Sequence, residues 1–440
     1  MSLPEQRPGH RPNHRYARSI EMLERARRVI PLGTQTFSKS HQQFPQDAAP
    51  LFLTHGRGCR AWDVDGNEYI DLISGLLPVV LGYCDPDVDA AIRQQLECGI
   101  SFSLATELEI ALAERLVEII PCAEMVRFGK NGSDATTACV RIARAATGRD
   151  RVVICGYHGW HDWYLAATVR NRGVPHCLTE LVHRVPYNDV AAVHALFRAH
   201  PGEVAAVIME PITAEEPKPG YFAELQGLVR AEGALLIFDE VITGFRYALG
   251  GAQEYFGVTP DLAAFGKAMG NGMPISAVVG RADLMMQMEE IFFSATFGGE
   301  ALSLAAAIAV IDKMRREPVI ERLWASGDEI AAGVRCAIER HGLQSAVTLT
   351  GLAPWTILRF HDVEGASKEA VKTLFMREML AQGILIAASN NVSFAHGVDD
   401  IRQVAAAYDG AFVRIAEGLA SGALEAMLDG PPITPVFVVR

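Results

Sequence analysis

Four short apolar runs, Val152–Cys155, Val204–Met209, Ala234–Phe238 and Leu262–Phe265, constrain this chain more than any other feature. Each is apolar at consecutive rather than alternate positions, so a strand made from it must be buried on both faces. Segments with helical periodicity separate or flank them, including 106–119, 133–147 and 301–313. Two-faced strands alternating with helices predict a doubly wound α/β domain on a largely parallel sheet.

A chain of 440 residues exceeds one simple core, and half of it is hydrophobic, enough for two. Residues 318–440 read as a separate α+β unit, with a boundary near 315 at the charged run Lys313 to Glu317. Earlier in the chain, Gly58 to Ile73 alternates around Asp65-Gly66 and predicts a hairpin. Asp63, Asp65, Asn67 and Asp71 superficially suggest a calcium loop, but the glycine falls fourth rather than sixth and no Glu closes the loop.

The net charge of −12 argues against a general binder of nucleic acid or anionic membrane, and no apolar run approaches the roughly 18 residues that span a bilayer. The eight cysteines (Cys59, Cys84, Cys98, Cys122, Cys139, Cys155, Cys177, Cys336) form no Cys-x-x-Cys pair, and a reducing cytoplasm is expected. The N-terminal arginines (Arg7, Arg11, Arg15, Arg18, Arg25, Arg27, Arg28) are mixed with Glu5, Glu21 and Glu24 and lack the apolar core of a secretory signal. A surface arm leading into a helix at 18–29 fits better than a targeting segment.

In open α/β sheets, ligands bind beyond the carboxyl ends of the strands. Four elements there carry chemistry. Lys267 follows the strand Leu262–Phe265 and precedes a Gly-rich turn; of seven lysines it alone has an apolar approach, as an imine-forming amine requires. Local sequence equally fits a strand-end lysine reaching solvent. Asp239 ends an apolar run, where a carboxylate could hold a pyridine nitrogen protonated or simply cap a turn. Its neighbour Glu240 points to the opposite side by strand alternation.

The third element, Asn131-Gly132-Ser133-Asp134, opens a helix. Its exposed N–H groups and dipole make a phosphate seat, or a simple cap. The fourth is Gly156 to Trp163, directly after a strand, where Tyr157 could stack on a flat heterocycle. His158, His161 and Asp162 raise a metal alternative, but no further ligand cluster supports it, so no metal is expected.

These elements, in this order, resemble the class III aminotransferases of pyridoxal-phosphate fold type I, and within them the glutamate-1-semialdehyde aminomutase-like proteins. The segments carrying the resemblance are Asn131-Gly-Ser-Asp-Ala135, Gly156-Tyr-His-Gly159, Met209-Glu-Pro211, Leu236 to Arg246, Phe265 to Gly270 and Thr296-Phe-Gly-Gly299. The resemblance implies a large, mostly parallel doubly wound domain at 76–315, a C-terminal α+β domain at 316–440, and residues 1–75 as an arm plus part of the small domain.

It also implies pyridoxal 5'-phosphate as cofactor, with Lys267 as the Schiff-base lysine and proton shuttle and Asp239 on the pyridine nitrogen. Val241 and Tyr157 would cover the two ring faces. Gly132 and Ser133 would hold the phosphate, and Glu210 would join the network around the cofactor's hydroxyl. Thr296 would reach the neighbouring cofactor of a homodimer, and His158 would be structural.

The expected activity is transfer of an amino group from a donor such as glutamate to a ketone or aldehyde, a keto sugar among the acceptors. The alternative is aminomutase-type transfer within one molecule. Against the aminomutase, Gly33 to Lys39 departs from that enzyme's pattern, and Asn390 to His396 lacks its nearby acidic residue. Both segments are expected to line the substrate pocket. Arg246, Arg170 and Arg172 are candidates for binding a substrate carboxylate, although exposed arginines are usually solvated surface. A dinucleotide enzyme on the same layout would need Gly-x-Gly-x-x-Gly after a strand, which is absent; a non-catalytic binding protein is the remaining alternative.

Overall fold

The computed structural model describes residues 14–428 and 430–434; Arg7 and Arg11 of the N-terminal arm lie outside them. The described residues form two compact units, one of Leu77–Trp324 and one joining the stretch up to Leu76 to the described residues from Ala325 to 434.

In the second of these, β1 (Leu53–Arg57), β2 (Arg60–Asp63) and β3 (Glu68–Asp71) form an antiparallel meander. The expected hairpin is therefore present, and Asp63 is its organiser. Its carboxylate accepts from the backbone of Asp65 and Asn67, from the Asn67 amide and from the Tyr69 hydroxyl at 2.8–3.0 Å. That is a turn built by an aspartate, not a cation loop.

The larger unit holds a seven-stranded sheet: β4 (Met125–Gly129), β5 (Arg151–Cys155), β6 (Val182–Arg184), β7 (Val204–Met209), β8 (Leu235–Asp239), β9 (Leu262–Phe265) and β10 (Ser276–Gly280), in the order β4-β10-β9-β8-β7-β5-β6. All neighbours are parallel except β10, which is antiparallel to both β9 and β4. Each apolar run named from sequence is one of these strands, and β7, β8 and β9 are buried at every position. Both faces are covered, which is why these strands show no alternation.

The helix Gly132–Thr147 packs one face on the sheet through Ala135, Ala138, Cys139, Ile142 and Ala143, against Ile154, Ile208, Ile237 and Ala264. Small residues on that face let the helix approach closely. Each fully buried aliphatic side chain contributes about 1.5–3 kcal/mol.

Strand register decides where the chemistry falls. Cys155 pairs with Met209, Met209 with Phe238, and Asp239 with Ala264. The carboxyl ends of four adjacent strands therefore lie in one line, about 4.8 Å apart per step. The residues that follow them emerge along a single edge.

The smaller unit is completed by β11 (Val347–Thr350), β12 (Trp355–Phe360), β13 (Ile384–Leu385) and β14 (Ser389–Asn391), with helices Lys368–Ala381 and Val398–Ser421. Strand β13 adds to β3 in parallel, so the N-terminal meander and the C-terminal segment share one sheet. The Asn390 amide is spent inside this unit: it donates to Thr356 Oγ1 at 3.0 Å and accepts from the Tyr408 hydroxyl at 2.7 Å.

Among the described residues, no helix is long and apolar enough to cross a membrane.

Candidate active site

Lys267 lies directly beyond β9 in a short 3-10 turn, Lys267–Gly270, with φ of +42°. A side chain held in the left-handed region costs on the order of 1–3 kcal/mol and needs surrounding structure to impose it. Local sequence left the surroundings of Lys267 open; in the fold the side chain is half-buried, packed into the end of the sheet rather than extended along the surface. Desolvation holds its pKa below the ordinary lysine value, and nearby Arg246 adds to this while Glu210 and Asp239 pull the other way. A larger share of neutral, nucleophilic amine results.

Asp239 ends β8 and is 4 % exposed. One carboxylate oxygen accepts from His158 Nδ1 at 2.8 Å and the other from the Val241 N–H at 3.1 Å. His158 is itself buried, beside Trp163 and Tyr164, and its Nε2 has no hydrogen-bond partner. With Nδ1 donating to a carboxylate, the ring is fixed in orientation and Asp239 is held at its post.

Glu240 goes the other way, as alternation requires. It accepts from the backbone of Ala252 and Gln253, each at 2.8 Å, and from the Thr243 hydroxyl. It is a buried strut for the segment after β8.

Glu210 follows β7 and accepts from the Tyr157 N–H at 2.8 Å. Burial, reinforced by Asp239, pushes its carboxyl above the usual range, although His158, the Tyr157 N–H and Lys267 draw it down. Gly132 and Val241 meet closely: a Cβ on Gly132 would stand 2.7 Å from Val241 Cγ1. Gly159 has φ of +107°, and a Cβ there would fall 2.3 Å from Ser133 Oγ. Ser133 Oγ accepts from the Trp160 N–H at 3.3 Å, so the loop after β5 is fastened to the helix start. The start is itself shaped by Asp134, whose carboxylate accepts from the N–H groups of Asn131 and Lys130.

Lys267, Asp239, Glu210, Val241, Gly132, Ser133 and Tyr157 thus belong to one neighbourhood. Thr296 does not take part in these contacts; it is exposed, in the turn at 296–299. Arg246, a sequence candidate for binding a substrate carboxylate, is fully buried and donates from Nη2 to the Leu77 carbonyl at 2.7 Å. That guanidinium is not presented to a substrate. The exposed Arg170 and Arg172 keep that possibility only as surface residues.

His158 and His161 face different partners: His161 Nδ1 meets Thr137 Oγ1 at 2.7 Å. Among the described residues, no three His, Cys, Asp or Glu side chains gather as a metal-ligand set.

The arrangement fits a phosphorylated, aldehyde-bearing pyridine. It offers a desolvated amine for the aldehyde, a positioned carboxylate for a ring nitrogen, and a half-exposed Tyr157 ring and Val241 for the ring faces. A helix N-terminus beside a glycine too close to Val241 for any side chain is ready for the phosphate. What sequence reasoning missed is the His158–Asp239 pair, because its partners stand 81 positions apart. The available signal was a histidine directly after a strand, beside the expected stacking tyrosine.

Comparison with known proteins agrees. The family model for class-III aminotransferases matches residues 42–394. The chain is 35% identical over 396 residues to a 3-aminobutyryl-CoA aminotransferase of Cloacimonas acidaminovorans, covering 88% of this chain and 94% of that protein. It is 36% identical over 427 residues to a glutamate-1-semialdehyde 2,1-aminomutase of Syntrophobacter fumaroxidans, covering 91% and 98%. Among solved structures, the FumI protein of Sphingopyxis sp. MTA144, in its PLP internal aldimine form, superposes with a TM-score of 0.86 at 32% identity, covering 94% of this chain and all of that one. The mostly parallel α/β sheet, the desolvated lysine beyond β9 and these matches together make the chain a member of the class III aminotransferases, with the type I fold of pyridoxal-phosphate enzymes.

Proposed function

We propose that this enzyme, a pyridoxal-phosphate aminotransferase, takes an amino group from a donor such as glutamate and delivers it to a ketone or aldehyde, with Lys267 as its covalent and proton-transfer residue. When bound, the cofactor supplies an electrophilic carbonyl and an electron sink. The observation that carries the reading is a half-buried amine whose pKa desolvation has lowered, on the same edge as a carboxylate fixed by a histidine.

Lys267 Nζ, neutral in a larger fraction than a surface lysine, can accept a proton from the carbon that bears the migrating amine and return it elsewhere. Asp239, oriented by His158 and the Val241 N–H, would hold the ring nitrogen protonated. Gly132, Ser133 and the helix start would take the phosphate, Tyr157 and Val241 the ring faces, and Glu210 the hydroxyl side. In this reading residues 76–315 form the cofactor domain, with 1–75 and 316–440 supplying the smaller one.

The test is borohydride treatment followed by peptide mass analysis, together with turnover of Lys267→Ala. The expected result is cofactor retained on the Lys267 peptide and no turnover by the variant. A Lys267→Ala enzyme exchanging amino groups at the parental rate, or retention on another lysine, overturns the assignment.

Similarity to an aminomutase over nearly its whole length supports a second reading, in which the amine moves within one molecule. Turnover without a separate donor, with nitrogen from labelled glutamate never reaching product, selects it. A homodimer with Thr296 reaching the neighbouring site is part of the proposal. Mixing inactive Lys267→Ala and Thr296→Ala chains should then restore activity, since one site per hybrid has both residues; no restoration removes the role of Thr296.

A further inference from the structure

A cavity of about 390 Å³ lies on the side of the helix Gly132–Thr147 that faces away from the sheet. Helical spacing puts Thr137, Arg141 and Arg144 on one stripe, opposite the Ala135, Cys139 and Ile142 that pack on the sheet. The far wall is Trp160, His161 and Asp162, from the loop that begins with Tyr157.

The polar groups of this cavity are only partly used. Arg144 Nε donates to the Asp150 carbonyl at 2.8 Å, but its Nη2 is enclosed and has no hydrogen-bond partner. A buried charged donor without an acceptor is costly and uncommon in a finished interior. Arg141 Nη1 donates to the Phe292 carbonyl at 2.7 Å, which fixes its planar fork in place. Thr137 Oγ1 is held by His161 Nδ1 and Trp163 Nε1 at 2.7 and 2.8 Å, so the back of the cavity is rigid.

Two guanidinium groups against the single carboxylate of Asp162 make the lining cationic, a local reversal in a chain of net charge −12. Trp160 leaves 65% of its surface exposed at the rim. An indole in that position is a stacking platform, and arginine forks match carboxylate and phosphate oxygens. The volume is that of a small-molecule site rather than of trapped water.

We propose that this cavity binds a small organic anion carried on a flat ring, its oxygens on Arg144 and Arg141 and its ring on Trp160. Because that Nη2 is enclosed, binding turns the Arg144 guanidinium toward the cavity, where the ligand supplies the acceptor it lacks; the ligand lies on the side of the helix that faces away from the sheet. The site stands independently of the aminotransferase reading.

The test is isothermal titration of phenyl phosphate, and separately of inorganic phosphate, into the purified holoenzyme, whose own phosphate seat is filled by cofactor. One phenyl phosphate per chain is expected, with inorganic phosphate weaker for want of the ring. Arg144→Gln should weaken binding by about tenfold or more, the worth of one charge-assisted hydrogen bond. Trp160→Ala should weaken it by about fivefold or more, the low end for one stacked ring. Cofactor absorbance should be unchanged in both. Absence of saturable binding overturns the proposal, as does an affinity that neither variant alters. Inorganic phosphate binding as tightly as phenyl phosphate overturns the ring's part in it. Should Arg144→Gln fail to fold, the exposed Trp160→Ala decides alone.

Discussion

Replacing His158 by Phe removes the group that holds Asp239 while leaving a ring of similar size against Trp163 and Tyr164. The packing change is therefore small, below about 1.5 kcal/mol. The lost interaction is a buried 2.8 Å hydrogen bond to a carboxylate, about 1.5–3 kcal/mol. Asp239 is not stranded entirely, because its other oxygen keeps the Val241 N–H. That argues against the larger penalties of a fully orphaned buried charge and leaves a total near 2–3 kcal/mol. In a unit of this size each kcal/mol is about 2–4 °C of melting midpoint, so a fall of roughly 5–10 °C is expected.

Circular dichroism melts of cofactor-free protein read that fall without interference from ligand stabilisation. The same variant should lose kcat more than it raises KM, because the carboxylate remains but is no longer aimed. His158→Asn restores a donor at the same branch of the side chain and should recover part of kcat. A His158→Phe enzyme that melts within 1 °C of the parent and keeps full kcat would refute the positioning role.

Three further outcomes follow from the same geometry. Gly159→Ala places a Cβ 2.3 Å from Ser133 Oγ at a φ of +107°, and should cost about 2–4 kcal/mol and weaken cofactor retention, read by the midpoint and by dialysis against buffer. Glu240, pushed up to about 6 by burial, titrates above its unfolded value of 4.5, so the stability it confers is present below pH 4.5 and is lost as pH rises through 6. The stability difference between parent and Glu240→Gln should therefore fall by about 2 kcal/mol across that window in urea titrations; a difference independent of pH contradicts the assignment. Asp239→Asn should cut turnover by orders of magnitude while Glu240→Gln leaves most of it; equal losses would erase the distinction between strand-end acid and strut.

Much of this molecule was legible in its residues. The four apolar runs became β5, β7, β8 and β9 because strands buried on both faces must be continuously apolar, a local property. Lys267 stood out because little else in the chain combines an amine, an apolar approach and a glycine turn. Opposite roles for Asp239 and Glu240 followed from period-two geometry alone. Arg246 was not legible: its residue type and position equally allow an anion ligand or a structural role, and only the fold shows it enclosed and bonded to a carbonyl 169 positions away.

Sequence by itself determined the alternation of strand and helix, the two-faced burial, and the short list of residues with the right chemistry, since each depends on neighbours a few positions apart. Only the tertiary structure decided that Cys155, Met209, Asp239 and Ala264 come into line, that His158 takes hold of Asp239, and that Gly132 meets Val241. It also decided that desolvation frees the Lys267 amine and leaves Arg144 Nη2 without an acceptor. The reason is physical: desolvation and long-range hydrogen bonds depend on what the folded chain brings close, and adjacency along the chain carries no record of it.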